Sequence, residues 1–232
     1  MTFSDDANAL PAAVLWDLDG TLVDTEPAWM EAEVRLANKH GVAWTAEDAL
    51  QLVGTSLPNA GRIFQELGVS GTVDEIVDEL IGVVIDILGD RIDWQPGAQQ
   101  LLTELRDAGV PQVLVTMSYR EMADIILKGA PDGCFTASVT GDEVANGKPD
   151  PEPYLKAAEM IGVDIARCVA VEDSPTGLAS ATAAGAKVIG VRRQVPVPAA
   201  PGRTRLAGFD NITAETFSAI ANGQVIDELD VS

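Results

Sequence analysis

Short apolar runs alternate with helical patterns through most of this chain, and that alternation constrains its fold more than any other feature. The five predicted strands are AAVLWD at 12–17, PQVLVT at 111–116, TASVT at 136–140, CVAVE at 168–172 and KVIGV at 187–191. The helical patterns that separate most of them cover 97–109, 119–129, 151–162 and 175–185. Strands that alternate with helices form a parallel sheet covered by helices on both faces. The pattern therefore predicts an α/β fold with a doubly wound parallel-sheet core.

Residues 26–93 interrupt this rhythm because they carry helix signals almost alone. Pro27 suits a first helical turn, and Gly41 is a helix stop. Thr72 and Glu75 have the spacing of a capping box, and apolar residues at helical spacing follow them up to Leu88. The predicted organisation is a loose tail at 1–11, a core formed by 12–25 and 94–232, and a helical insert at 26–93.

The composition limits the partners of the chain. Hydrophobic residues make up 47% of the 232 residues, which is enough for a sizeable core, and the formal net charge is −21. Nucleic acid and anionic membranes are poor partners for so acidic a surface, and an anionic substrate would need a local cationic site. Asp86 interrupts the longest apolar stretch and the N-terminus lacks a basic region, so we expect no membrane span and a cytoplasmic protein. The core needs no partner, so we expect a monomer.

Carboxylates collect where two of the predicted strands end. Asp17 and Asp19 close the first strand, and Glu172 and Asp173 close the fourth. Ligands of doubly wound sheets bind beyond the carboxyl ends of the strands. Strand side chains alternate with period two, so Asp17 and Asp19 point the same way if the chain stays extended. Four carboxylates this close repel one another unless a cation lies among them, and a hard divalent ion, Mg²⁺, is the expected cofactor.

Two of these carboxylates have the chemistry of a phosphoryl-transfer site. A carboxylate can attack phosphorus and form an acyl-phosphate, and Asp17 is the predicted nucleophile. Asp19 would protonate the leaving oxygen and later activate water.

Further residues are predicted to bind the phosphate group. The turn at Gly20 and Thr21 can direct backbone N–H groups at phosphate oxygens, and the Thr116 hydroxyl is another donor. Lys148, in a loop stiffened by prolines, can neutralise the phosphate and the nucleophile. The predicted phosphate-binding positions also include Leu18 and Met117.

Four motifs in this order resemble the haloacid dehalogenase superfamily, in its phosphatase and phosphomutase branch. The motifs are DLDGT at 17–21, VLVT at 113–116, GKPDP at 147–151 and VEDS at 171–174, within a likeness that spans 13–191. The resemblance implies a Rossmann-like core with a helical cap inserted after the first strand.

The resemblance also implies roles for particular residues. Asp17 would be the nucleophile and Asp19 the acid and base, while Thr116 and Lys148 would bind phosphate. Mg²⁺ would be held by three groups, with Glu172 beside them: Asp17, the Asp19 backbone carbonyl and Asp173. By position, the cap specificity loop of the family matches Gly54, Thr55 and Ser56, which we expect to touch the leaving group.

The sequence therefore predicts a Mg²⁺-dependent phosphatase that hydrolyses a small phosphorylated metabolite, such as a sugar phosphate, through an aspartyl-phosphate. One alternative is a phosphomutase similar to the β-phosphoglucomutases. Those enzymes carry a His and an Arg where this chain has Trp29 and Leu57. The second alternative is a non-catalytic protein that binds phosphorylated metabolites. The Pro-rich segment 192–205 is predicted to be a solvated surface loop, although its arginines could contact an anion.

Overall fold

The computed structural model describes residues 9–52, 55–90 and 92–229 of the chain. The chain divides into two compact units. We call one the sheet unit: the chain up to Val23, Trp94–Tyr119, and the chain from Ala130 onward. We call the other the helical unit, which comprises Asp24–Asp93 and Arg120–Gly129. The predicted core at 94–232 included the helix that starts at Arg120, whereas this helix groups with the helical unit.

Six strands and nine α-helices lie within the described residues. The strands are β1 (Ala13–Trp16), β2 (Gln112–Val115), β3 (Ala137–Val139), β4 (Cys168–Glu172), β5 (Lys187–Val191) and β6 (Arg203–Leu206). The helices are α1 (Glu26–His40), α2 (Ala46–Leu52), α3 (Leu57–Glu66), α4 (Val73–Asp90), α5 (Ala98–Asp107), α6 (Arg120–Gly129), α7 (Glu152–Met160), α8 (Pro175–Ala184) and α9 (Ala214–Ala221). None of the helices in this part of the chain is long and apolar enough to cross a membrane.

The strands form one parallel sheet in the order β3-β2-β1-β4-β5-β6, which confirms the predicted fold class. The chain builds β2 and β3 on one side of β1, and then β4, β5 and β6 on the other side. The direction of winding therefore reverses between β1 and β4, and a doubly wound sheet binds its ligand at the carboxyl edge of such a point.

Period-two alternation divides the β1 side chains between two apolar layers. Ala13 and Leu15 belong to a buried cluster that also contains Tyr154 of α7 and Leu178 of α8. On the opposite face, the fully buried Trp16 ring lies 5.8 Å from each of the rings of Phe209 and Phe217. β1 is thus apolar along its whole length, and it ends at a polar edge.

A sixth strand corrects the prediction for the segment after β5. The region 192–205 was expected to be a solvated loop, but its end is part of β6, and Arg205 is only 7% exposed. The Arg205 guanidinium lies 2.6 Å from an Asp227 carboxylate oxygen. The Arg205 backbone bonds to the C-terminal segment through the Ile226 carbonyl and the Glu228 N–H. The sequence of this strand has no apolar pattern that would predict its burial: Arg203, Thr204, Arg205 and Leu206. The strand is buried because the C-terminal segment and the ion pair with Asp227 cover it.

The helical unit contains α1 to α4 and α6. α1 has Pro27 in its first turn and ends at Gly41, whose φ of 68° is left-handed, as the sequence predicted. The capping box at the start of α4 is also confirmed, because the Thr72 N–H donates to Glu75 and the Glu75 N–H donates to the Thr72 hydroxyl. α4 packs along both α1 and α3.

Gln112→Leu tests a buried polar link inside the sheet unit. Gln112 Oε1 accepts from Trp16 Nε1 at 2.9 Å, and its amide nitrogen donates to the Leu102 carbonyl. Leucine leaves the buried indole N–H without its acceptor, so the free energy of unfolding should fall by about 1–3 kcal/mol in urea titrations. Gln100→Leu, at an exposed position of α5, is the control and should shift it by less than about 0.5 kcal/mol. Equal losses in the two variants would contradict this account.

Candidate active site

β1 and β4 bring the predicted carboxylates together at the point where the winding reverses. Trp16 pairs with Val171 in the sheet register, and the Asp17 N–H donates to the Val171 carbonyl at 3.0 Å. Asp17 therefore lies beside the end of β4, where Glu172 and Asp173 follow. Asp17 is 7% exposed and Glu172 is fully buried. The sheet itself thus places three carboxylates at one edge.

The Lys148 ammonium lies among these carboxylates. Its Nζ is 2.7 Å from Asp17 Oδ1, 2.6 Å from Glu172 Oε1 and 2.8 Å from the Val115 carbonyl oxygen at the end of β2. The side chain is 4% exposed. The lysine comes from the loop before α7, so residues far apart in the sequence form one charged group.

Asp19 is held by two hydroxyl groups that follow β2. Its Oδ2 accepts from Thr116 Oγ1 at 3.1 Å and from Ser118 Oγ at 2.7 Å. Thr116 Oγ1 in turn accepts from the Ser118 N–H. The sequence pattern indicated Thr116 but not Ser118. Ser118 lies beyond the end of β2 at Val115, where the chain bends, so strand alternation does not mark it.

The turn after Asp19 is held by two side chains from distant loops. Gly20 has a φ of 84°, and a Cβ at this position would lie 2.2 Å from Asp173 Oδ2, so glycine alone fits here. The Gly20 carbonyl accepts from Gln95 Nε2 at 3.0 Å and from Arg193 Nε at 3.1 Å. Neither residue was predicted to support the site. Arg193 was placed in a surface loop, whereas it holds this turn and stacks on the Phe209 ring.

The Glu172 carboxylate is enclosed on several sides. Oε1 accepts from the Tyr154 hydroxyl at 2.6 Å and forms an ion pair with Lys148 Nζ, and Oε2 accepts from Ser174 Oγ at 3.2 Å. Gly177, in the first turn of α8, lies so near that an added Cβ would be 2.0 Å from the carboxylate. Tyr154 is fully buried, and no motif in the sequence indicated its contact with Glu172.

Burial and mutual repulsion raise the pKa values of two carboxyl groups here. Burial, and next the charge of Glu172, raise the pKa of Asp17 well above its ordinary value, although Lys148 opposes this. The same two causes raise the pKa of Asp173 to about 7. Burial lowers the pKa of Lys148, but Asp17 and Glu172 outweigh it and leave that pKa above its ordinary value. Lys148 is therefore a cation, and the site holds more negative charge than this one cation offsets.

The carboxylates fit a hard divalent cation. One oxygen from each of Asp17, Glu172 and Asp173 can be chosen so that all three lie within 4.8 Å of one another. Opposite ligands of Mg²⁺ at 2.1 Å would be roughly 4.2 Å apart, so small side-chain shifts would close the group around the ion. The Asp19 carboxylate lies outside this group of three and bonds to the two hydroxyls described above.

The remaining predicted positions have other surroundings. Leu18 is fully buried, and its carbonyl accepts from the Leu22 N–H. Met117 Sδ accepts from the Lys148 N–H at 3.2 Å, which links the residue after the second motif to the third motif. Gly54 lies outside the described residues. Thr55 and Ser56 lie in the helical unit, directly before α3. Their contact with a leaving group stays a prediction.

Comparisons with known proteins give the family of the chain. The family model for haloacid dehalogenase-like hydrolases matches residues 14–191. The chain belongs to this family. It is 35% identical over 191 residues to hexitol phosphatase A of Escherichia coli (strain K12), which covers 79% of this chain and 84% of that protein.

Two further proteins have a similar sequence or fold. The chain is 34% identical over 209 residues to a bifunctional riboflavin kinase/FMN phosphatase of Arabidopsis thaliana, which covers 89% of this chain. The match spans about half of that protein, 53% of its length. The crystal structure of CbbY from Rhodobacter sphaeroides in complex with phosphate is 25% identical, with a TM-score of 0.75. The alignment covers 87% of this chain and 96% of that one.

Gly177→Ala tests the close approach of α8 to Glu172. The added methyl group must displace the buried carboxylate, so we expect unfolding in urea to become easier by about 1–3 kcal/mol. Gly82→Ala is the matched control, because it lies within α4 with open space around its Cβ position. The control should stabilise its helix by about 0.5–1 kcal/mol. A stable Gly177→Ala variant would show that Glu172 is not confined as described.

Asp173→Asn tests how much the burial and repulsion of the Asp173 carboxylate reduce the stability of the folded protein. The folded pKa of Asp173, about 7, exceeds its unfolded value, so wild-type stability in EDTA falls as the pH rises from about 4 to 7. Asparagine avoids this cost and should stabilise the protein at pH 8 by on the order of 2 kcal/mol, and much less at pH 5. Thermal and urea unfolding at both pH values measure the effect. The exposed Asp78→Asn variant is the control, and an equal gain there would refute the explanation.

Proposed function

We propose that this protein is a Mg²⁺-dependent phosphatase that hydrolyses a small phosphomonoester through an aspartyl-phosphate. The observation that carries the proposal is the buried Lys148 ammonium bound between Asp17 and Glu172, beside Asp173. A site of this composition binds a cation and a phosphoryl group together, because each offsets the charge that the other leaves. The names of two relatives, hexitol phosphatase A and FMN phosphatase, support a phosphate ester as the substrate.

In the first step, an Asp17 carboxylate oxygen attacks phosphorus, and the bond between phosphorus and the ester oxygen breaks. Asp19 gives its proton to the departing oxygen, so the alcohol leaves neutral. In the second step, Asp19 takes a proton from water, and the water oxygen attacks the phosphorus of the aspartyl-phosphate. Inorganic phosphate leaves, and the Asp17 carboxylate and protonated Asp19 are restored.

Several groups lower the barrier together. Lys148 neutralises charge on the phosphoryl oxygens and on Asp17. In the free protein the Thr116 hydroxyl donates to Asp19 and the Gly20 N–H donates to the Val23 carbonyl, so their predicted binding of phosphate would require a change of partner. Mg²⁺ held by Asp17, Asp173 and the Asp19 carbonyl, with Glu172 beside them, would neutralise further charge on the transferring group. Thr116 and Ser118 hold Asp19 in place between the two proton transfers.

We assign the helical unit the role of a cap that excludes water during the first step. Gly54, Thr55 and Ser56 would then contact the part of the substrate that leaves. The chemistry would take place on a free metabolite in the cytoplasm, with the protein as a monomer. Neither nucleic acid nor a membrane surface is a partner in this proposal, because the net charge of −21 disfavours both.

The proposal is tested by a panel of phosphorylated metabolites, including hexitol phosphates, hexose phosphates and FMN. Phosphate release is measured with Mg²⁺ and with EDTA. We expect release from at least one sugar or polyol phosphate, with loss of activity in EDTA. Isomerisation of a hexose 1-phosphate without phosphate release would identify a mutase instead. Binding without turnover across the whole panel would identify a non-catalytic protein.

Asp17→Asn should reduce kcat by at least about 10³-fold while the fold persists, because the amide cannot form the phosphoenzyme. Circular dichroism and urea unfolding check the fold, and acid quenching with labelled substrate checks for the phosphoenzyme. Asp78→Asn, an exposed change on α4, is the control and should leave kcat unchanged. Near-normal turnover by Asp17→Asn would overturn the mechanism.

A further inference from the structure

One buried side chain in the charged network lies outside all four sequence motifs. Tyr154 projects from α7, and its hydroxyl donates to Glu172 Oε1 at 2.6 Å. Its ring centroid is 5.2 Å from Lys148 Nζ. Tyr154 and Lys148 therefore share one acceptor oxygen of Glu172, and both side chains lie in the interior of the sheet unit.

Three acceptors of the described chain surround the Lys148 ammonium. An ammonium group has three N–H bonds. Three acceptors lie at hydrogen-bond distance from Nζ: Asp17 Oδ1, the Val115 carbonyl and Glu172 Oε1. A phosphoryl oxygen that binds Lys148 therefore competes with these three acceptors.

Of the three acceptors, Glu172 can release Lys148 at the lowest cost in free energy. Release of Asp17 would leave the buried nucleophile without the cation beside it, and Val115 is a main-chain group fixed in β2. Glu172 Oε1 would still accept from Tyr154, and Oε2 would still accept from Ser174. A buried acceptor that keeps a donor avoids most of the cost of an unmade hydrogen bond.

We propose that Tyr154 is a positioning residue, whose hydroxyl holds the Glu172 carboxylate in place while the Lys148 ammonium turns from Glu172 to the phosphoryl group. This inference rests on the proposed function, because it concerns how the same site receives its substrate. It also explains why a tyrosine occupies the interior here. A phenylalanine would fill the same space beside Lys148, but it could not bind the carboxylate.

Tyr154→Phe tests this role because it removes the hydroxyl and keeps the ring. Without that donor, Glu172 retains Lys148, so kcat/KM should fall about 10-fold, the effect of one buried hydrogen bond to a charged group. Isothermal titration with inorganic phosphate at saturating Mg²⁺ should show a similar, about 10-fold, rise in Kd. Titration with Mg²⁺ alone measures separately whether the metal-binding carboxylates are still in place.

Ser218→Ala is the matched control. It removes another buried hydroxyl donor of the sheet unit, which bonds to the Ala9 carbonyl away from the site. It should leave kcat/KM and the phosphate Kd unchanged. If folded Tyr154→Phe protein also keeps wild-type kcat/KM and phosphate affinity, Tyr154 only fills space and the inference is wrong.

The double variant Tyr154→Phe with Glu172→Gln keeps the test decisive even if the single variant folds poorly. Glutamine removes the buried charge that the tyrosine holds, so folding should recover. Loss of the hydroxyl should then change the phosphate Kd by less than about two-fold relative to Glu172→Gln alone. A full 10-fold change in that background would show that Tyr154 acts independently of Glu172 and would overturn the inference.

The same measurements separate this inference from the proposed function. If wild-type protein releases no phosphate from any ester, the phosphatase proposal fails, whereas the phosphate and Mg²⁺ titrations still report on Tyr154. If wild-type protein is active and Tyr154→Phe matches it in every measurement, only the role of Tyr154 fails.

Discussion

The contact between Lys148 and two buried carboxylates is the interaction on which the rest of the site depends. Asp17, Glu172 and Asp173 meet where β1 and β4 end, and Lys148 is the cation that the described structure places among them. Because one positive charge does not offset three negative ones, burial and repulsion raise the pKa values of Asp17 and Asp173. The fold thus retains a surplus of negative charge that a bound cation would relieve.

Much of the surrounding structure keeps that charged group in one arrangement. Gly20 and Gly177 lie where any Cβ would strike a carboxylate, so the backbone itself packs against the charges. Gln95 and Arg193 hold the Gly20 carbonyl, and Tyr154 holds Glu172. Such preorganisation costs stability in the free protein, and it reduces the reorganisation needed when a charged substrate arrives.

The fold class and the residues at the ends of the strands could be predicted from the sequence, because periodicity and motif order are local properties. Prediction from the sequence failed where the environment of a residue in the folded protein differs from what its local pattern indicates. The sequence of β6 contains two arginines and predicts a loop, since the burial of this strand depends on the C-terminal segment and on Asp227. Ser118, Gln95 and Arg193 were missed because nothing beside them in the sequence marks what their side chains reach.

By itself, the sequence determined that β1 ends in Asp17 and Asp19, that β4 ends in Glu172 and Asp173, and that a lysine loop precedes α7. Only the tertiary structure decided which atoms meet. It gave Lys148 three acceptors, bonded Asp19 to Thr116 and Ser118, and set Tyr154 against Glu172. The physical reason is that sequence pattern specifies strands and their ends, whereas hydrogen bonds between distant residues depend on sheet order and on how the helices pack against it.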